Sequence, residues 1–376
     1  MGKRAKKVSF IIPMINEYPA VYLTVNNIQT EMSDSRYNWE IIVAENGTQN
    51  INTPKGFTGE KALYRVPMKQ GLIKYVFEPT QGGPQARNAG AKIADGDYLM
   101  FMDAHTSLGK NTIDIMVDHL KSHPECGCLM GMTMKSHYNR NHGGAFYELF
   151  HQEKEQERKG GPTLATHMHG TYRALRGVPL DERYDPFKVM MSTQAYVMYR
   201  RKEFWDLGGY FSGTRFYPHP EGDLPLKVWM SGKECHTHPD SWHIHGEPCR
   251  GYFQTGPERR KKIREYGGYS TGEHGWMNVM KIAYILGKEK WIDICRDALT
   301  FKHSIPEYKM EELYKVSLDV ATPERERLEG KFKYSLDEIL IKGRKARIPG
   351  LVDNYNTKGE LTSIGWDTRV GEDPLA

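Results

Sequence analysis

The sequence predicts an α/β protein: a parallel sheet flanked by helices, continued by a mainly helical C-terminal extension. Strand-like and helix-like segments alternate through the first hundred residues, as in a sheet covered by helices. The apolar run 98–102 ends abruptly in Asp103 and His105, which suits a buried strand that opens onto a site beyond its carboxyl end. From about residue 251 onward, charged helical segments dominate.

The elements follow in order. Residues 8–12 are a short apolar run rich in β-branched residues, and 18–32 carry helical periodicity. Residues 39–44 form a second strand, leading into Glu45, Asn46 and Gly47, and 72–77 form a third. A helix over 85–94 closes at Asp95-Gly96-Asp97 before the strand 98–102. Another helix covers 111–120. Residues 135–183, rich in His, Gly, Arg and Tyr with weak periodicity, read as loops over the site. Residues 192–199 read as a strand, 204–210 as a short helix ending at glycines, and 224–230 as a helix. A long helix is expected over 276–299, and the polar stretch from 349 is expected to be poorly ordered. The organisation is thus 1–250 for the catalytic domain, split at 110 into nucleotide and acceptor halves, and 251–376 for the helical extension.

Composition narrows the class. No run approaches the ~18 apolar residues that a membrane-spanning helix needs. The basic start leads straight into the first strand, too short a pattern for a signal peptide, so a cytoplasmic protein with no membrane insertion is expected. Five cysteines, an odd number at irregular spacing, do not look like a disulfide framework. A net charge of +5 admits an anionic partner without demanding one.

Several separated segments form one pattern: Pro13-Met14-Ile15-Asn16-Glu17 after the first strand, Glu45-Asn46-Gly47-Thr48 after the second, Ala86-Arg87-Asn88-Ala89-Gly90, and Asp103-Ala104-His105. In this order they resemble the GT-A glycosyltransferases, nucleotide-diphospho-sugar transferases, which implies a Rossmann-like mixed sheet flanked by helices. The likeness is to family two and to the polypeptide N-acetylgalactosaminyltransferases, which also write their metal motif as Asp-x-His. It covers roughly residues 8 to 250.

The resemblance implies a UDP-sugar donor and a divalent cation, Mn²⁺ or Mg²⁺, which with positive side chains neutralises the diphosphate leaving group. It puts the nucleotide near Pro13, Asn16, Glu17, Glu45 and Arg87, with Asp103 between nucleotide and metal. Glu45 stands where the family more often has Asp, and Asn46 where a second acid is common. Asp103 and His105 are metal ligands, a mixture that suits Mn²⁺ better than an all-oxygen magnesium cage. The run 221–232 resembles the acidic motif and following helix of the superfamily. In the N-acetylgalactosaminyltransferases a histidine some way after the helix tryptophan completes the metal site, so the resemblance, counted on from Trp229, implies His245 as third ligand. His243 is its rival because a small gap would shift the assignment, and both lie on one face of a strand. Glu221 and Asp223 are candidate general bases, taking the proton of the acceptor hydroxyl. Asp223 could instead merely cap its helix. Asp-x-His also occurs in retaining enzymes, which leaves the stereochemistry open.

Other readings compete. Cys235, His236, His238, His243, His245 and Cys249 could form a zinc cluster, though they lack the paired spacing of structural zinc sites. His167 and His169 are candidate acceptor or diphosphate contacts. A basic segment with interleaved aromatics, 250–269, has the composition of a nucleic-acid groove as well as of a solvated helix face. With no membrane anchor or amphipathic lipid-binding helix expected, the acceptor is expected to be soluble. A resemblance to phage-type glycosyltransferases acting on hydroxymethylated DNA bases puts double-stranded DNA with 5-hydroxymethylated pyrimidines ahead of glycan, cell-envelope or protein acceptors. The non-enzyme alternative is an inactive sugar-nucleotide-binding module.

Overall fold

A computed structural model of the chain describes residues 6–14, 17, 20–46, 71, 73–80, 82–134, 140–142, 186–189, 192, 195–215, 220–245, 269–339, 351–355 and 361–366. It opens with β1 (Lys7–Met14), α1 (Ala20–Glu31), β2 (Asn38–Asn46), β3 (Ile73–Glu78), α2 (Gly83–Ile93) and β4 (Tyr98–Met102). A short β5 (Thr106–Leu108) leads to α3 (Thr112–Ser122) and β6 (Cys126–Met134), and β7 (Arg140–His142) and β8 (Phe187–Lys188) follow. Next come β9 (Tyr196–Arg200), α4 (Arg201–Asp206), α5 (Pro220–Met230) and β10 (Glu234–His245).

These ten strands form one mixed sheet in the order β3-β2-β1-β4-β9-β6-β10-β5, with β7 on β6 and β8 on β10. The first four run parallel, with α1 joining β1 to β2 and α2 joining β3 to β4. Strand β9 inserts antiparallel between β4 and β6. Strand β10 runs parallel to β6 and antiparallel to β5. The expected mixed sheet is therefore present.

Alternation along β1 explains how both faces of the sheet are buried. Val8, Phe10 and Ile12 belong to the core under α1 and α3, with Val25, Ile28 and Met116. Ile11 belongs to the opposite core, with Ala91 of α2 and Phe101 of β4. Helix α2 comes close because Gly90 has no side chain. A Cβ there would stand 2.6 Å from Cγ2 of Ile11, inside van der Waals contact.

The C-terminal helices α6 (Thr271–His303) and α7 (Glu307–Arg327) share this second core. Leu286, Ile292 and Leu313 belong to the same buried cluster as Phe101 and Tyr199. Helix α6 starts in a capping box, with Ser270 Oγ accepting from Glu273 N at 3.3 Å and Glu273 Oε2 accepting from Ser270 N at 2.6 Å. It breaks at Lys288, whose φ of 59° is left-handed.

Three expectations need correction. The nine-residue strand β6, buried along its whole length, sits where no strand was expected. Such a run lacks period-2 alternation because both of its faces are covered. The stretch from 349 carries a hairpin, β11 (Leu351–Tyr355) with β12 (Leu361–Trp366), where little order was expected. Of the segment 135–183, only 140–142 lies among the described residues, and it is a strand. No helix among the described residues is long and apolar enough to cross a membrane.

Candidate active site

The turn Asp103-Ala104-His105 lies between β4 and β5 and is clamped by backbone and helix side chains. Asp103 N donates to Ala195 O at 3.2 Å, as β4 leaves its antiparallel neighbour. Thr24 of α1 donates through Oγ1 to Ala104 O at 2.8 Å and accepts from Thr106 N at 3.1 Å. Asn27 Oδ1 accepts from Leu108 N at 2.6 Å. Strand β5 then pairs antiparallel with the end of β10, setting Thr106 opposite His245. That register carries His245 to His105 across the full sequence separation.

The three candidate ligands converge. Their nearest nitrogen and carboxylate atoms all lie within 4.8 Å of one another. His105 Nε2 is 3.1 Å from His245 Nε2, which is 3.3 Å from Asp103 Oδ2. The second nitrogen of His105 is also engaged. Nδ1 donates to Glu17 Oε2 at 2.9 Å, which turns Nε2 toward the other ligands, as a carboxylate behind a metal-bound histidine does. Arg87, 4% exposed at the side chain, donates from Nη2 to Asp103 Oδ1 at 3.3 Å and lies over the ring of Tyr210. Burial alone raises the Asp103 carboxyl, but the His245 hydrogen bond and the Arg87 charge outweigh it. Asp103 therefore stays ionised well below the usual carboxylate range.

His243 occupies different surroundings. It is fully buried, with Nε2 3.2 Å from Thr133 Oγ1 and its ring stacked on Tyr196. The pair that the sequence leaves unresolved is thus separated by depth: His245 meets Asp103, and His243 packs inside the sheet.

The remaining candidates divide. Pro13 lies on β1 opposite Ala44, near the carboxyl end of the strand. Glu45 ends β2 and accepts a hydrogen bond from Tyr75. Asn46 clamps the approach to α2, accepting from Gly82 N at 2.8 Å and donating to Thr80 O at 2.7 Å. Asn16 lies outside the described residues, as do His167, His169, Cys249 and all of the basic segment except Tyr269. Glu221 stands in the first turn of α5. Asp223, two residues on, is 3% exposed and has both oxygens engaged, Oδ2 accepting from Phe211 N at 2.7 Å and Oδ1 2.9 Å from Lys227 Nζ. Among the described residues, the zinc reading over Cys235, His236, His238, His243 and His245 does not assemble as one group. Cys235 Sγ donates to Pro225 O at 3.6 Å, while His243 and His245 face different partners.

Sequence reasoning placed Glu17 by the nucleotide and missed its contact with His105. The signal was within reach only in part, since nothing in residues 13–17 shows which side chain turns toward β5.

A family model described as glycosyl transferase family 2 matches residues 9–208, more than half of the chain. The chain belongs to glycosyl transferase family 2. The match covers Glu17, Asp103 and His105 and stops before β10, so His245 joins this family-2 site from outside the matched region. N-acetylgalactosaminyltransferase 6 of Drosophila melanogaster is 25% identical over 285 residues, 73% of this chain and 39% of that protein. Polypeptide N-acetylgalactosaminyltransferase 10 of Homo sapiens is 23% identical over 235 residues, 60% of this chain and 35% of that one. The chain thus spans less than two fifths of the length of these relatives. A crystal structure of GalNAc-T7 with UDP, GalNAc and Mn²⁺ aligns with a TM-score of 0.57 at 17% identity, covering 87% of this chain and 57% of that one. The shared architecture is the GT-A fold.

Proposed function

We propose that this family-2 chain is a metal-dependent glycosyltransferase that moves a hexose from a UDP-sugar to an acceptor hydroxyl. The observation that carries the reading is the convergence of Asp103, His105 and His245, backed by Glu17. One carboxylate oxygen and two imidazole nitrogens suit Mn²⁺, with Mg²⁺ a weaker substitute. When bound, the cation supplies charge neutralisation for the departing diphosphate. Arg87 adds a fixed positive charge beside Asp103. Pro13 and Glu45 sit at the carboxyl ends of adjacent strands, where open α/β sheets bind ligands, and with Asn16 they form the nucleotide side.

Glu221 takes the base role, accepting the proton of the acceptor hydroxyl as its oxygen attacks the anomeric carbon. Asp223 is committed to Lys227 and the Phe211 amide and positions the head of α5.

Relatives named as N-acetylgalactosaminyltransferases, one of them a polypeptide enzyme, favour a protein hydroxyl as acceptor and an N-acetylhexosamine as donor sugar. The hydroxymethylated DNA reading rests on the basic segment outside the described residues and enters as an arm of the same screen. That screen incubates the chain with UDP-hexoses and UDP-N-acetylhexosamines, Mn²⁺, and peptide, glycan or hydroxymethylcytosine duplex acceptors. Mass spectrometry then reads the products. The expected result is Mn²⁺-dependent UDP release and a glycosylated peptide, both lost in Asp103→Ala. Failure of every UDP-sugar to release UDP leaves only the binding-module reading.

A further inference from the structure

A second group of metal-capable side chains lies at the opposite end of β10 from His245. His119 in the last turn of α3, Cys126 at the first position of β6 and His236 near the start of β10 are all buried, and their ligand atoms lie within 4.8 Å of one another. His119 Nε2 is 3.0 Å from His236 Nδ1. A tetrahedral zinc ion with bonds of about 2.0 Å to nitrogen and 2.3 Å to sulfur spaces its ligands by roughly 3.3–3.6 Å, close to the spacing already present.

The surroundings match such a centre. His236 Nε2 donates to Glu234 Oε2 at 2.9 Å, and Lys188 fixes that carboxylate from 2.7 Å. This is the arrangement in which a carboxylate orients a metal-bound imidazole, and Glu17 has the same relation to His105. His238 follows His236 on the same face of the strand and stands edge-on to His119, with ring centroids 5.5 Å apart. Its Nδ1 accepts from Asp240 N at 3.3 Å, so Nε2, outside the 4.8 Å group, is the nitrogen that would swing in to ligate. Arg200 holds the turn between α3 and β6 in place, donating to the carbonyl oxygens of Cys126 at 2.6 Å and His123 at 2.9 Å.

We infer that His119, Cys126 and His236, with His238 as fourth ligand, form a zinc-class transition-metal site separate from the Asp103 centre. Without a cation the Cys126 thiol donates to Cys128 O at 3.3 Å. Binding expels the thiol proton to solvent and replaces that hydrogen bond with a metal–sulfur bond. The site joins α3, β6 and β10 at a place where β10 slips register against β6, both between Glu234 and Cys235 and between His238 and Trp242. Its role is to pin the start of the strand that delivers His245 at its far end.

Cobalt(II) is the probe, because among the described residues the new site offers it sulfur and the Asp103 group does not. The full chain is stripped with chelator, titrated with Co²⁺ and followed by absorption. Two equivalents are expected to bind, one of them with a near-ultraviolet thiolate-to-cobalt band and intense tetrahedral visible bands. Asp103→Asn keeps that band, whereas Cys126→Ser loses it and weakens one equivalent at least about 100-fold. Glu234→Gln weakens the same equivalent by about 10-fold or more and keeps the band. His236→Gln is the second variant should Cys126→Ser fail to fold. Absence of the thiolate band in the unmodified chain at excess Co²⁺ overturns the inference. So does persistence of the band in folded Cys126→Ser or His236→Gln.

Discussion

Glu17 Oε2 stands 2.9 Å from Nδ1 of His105, so the imidazole directs Nε2 toward His245 and Asp103. The contact ties the loop after β1 to the turn after β4. It also fixes one tautomer of His105, because the carboxylate can only accept.

That relationship predicts a metal-affinity phenotype without a folding one. Glu17→Gln is expected to weaken Mn²⁺ binding by about 10- to 100-fold while leaving the melting temperature nearly unchanged. Electron paramagnetic resonance of free Mn²⁺ during titration measures the first quantity and calorimetry the second. Unchanged affinity in the variant defeats the assignment of Glu17 as an orienting group.

Removing a ligand has a larger effect. Asp103→Ala and His245→Ala are each expected to lower UDP-sugar turnover by about 100-fold or more, since the charge on the leaving diphosphate is then poorly neutralised. His243→Gln, inside the sheet against Tyr196 and Thr133, acts on stability instead. A full metal complement in His245→Ala, measured at equilibrium, contradicts the ligand set.

The two acids of α5 separate by type of damage. Asp223→Ala removes one of the two carboxylates that pair with the fully buried Lys227 ammonium, leaving Glu324, and orphans the Phe211 amide, so it is expected to cost about 1–3 kcal/mol of stability. Glu221→Gln is expected to fold normally and lose most turnover while still binding donor. Denaturant titration alongside UDP-release rates distinguishes them, and a stable, slow Asp223→Ala reverses the assignment.

Gly90 tests the packing of α2 on β1. Gly90→Ala places a methyl against Ile11 and is expected to destabilise the fold by about 1–3 kcal/mol, despite the better helix propensity of alanine. A rise in melting temperature shows that α2 can move off the sheet.

Lys281 gives a pH signature. Burial, helped by the charge of Arg215, pushes its ammonium down to about 8 from an ordinary 10.5, and Nζ donates to Gly213 O at 3.1 Å. Between those two values the unfolded chain holds a proton that the folded chain has released. Stability therefore rises with pH in that window, by roughly 1.4 kcal/mol per pH unit from this group alone, and its cost is fully present below pH 8. Lys281→Met is expected to be more stable at neutral pH and to lose that slope in denaturant midpoints taken from pH 7 to 10.5. An unchanged slope assigns the effect elsewhere.

Local pattern alone determined that this is a sheet with helical crossovers and that Asp103 and His105 end a buried strand. Alternation, apolar run length and turn residues act within a few positions of chain, so they can be read directly from 98–105 or from 85–94. Strand β6 escaped because it shows no alternation and because Gly127, Gly131 and Thr133 interrupt the apolar run that made β4 legible. The choice between His243 and His245, the contact of Glu17 with His105, and the burial of Asp223 against Lys227 belong to the tertiary structure. Each depends on pairing between segments far apart in sequence: β5 with β10, the β1 loop with the β4 turn, and α5 with the Phe211 backbone and Glu324 of α7. Register and depth arise only when those segments meet, because side-chain type specifies what a residue can bind and not which partner the fold brings to it.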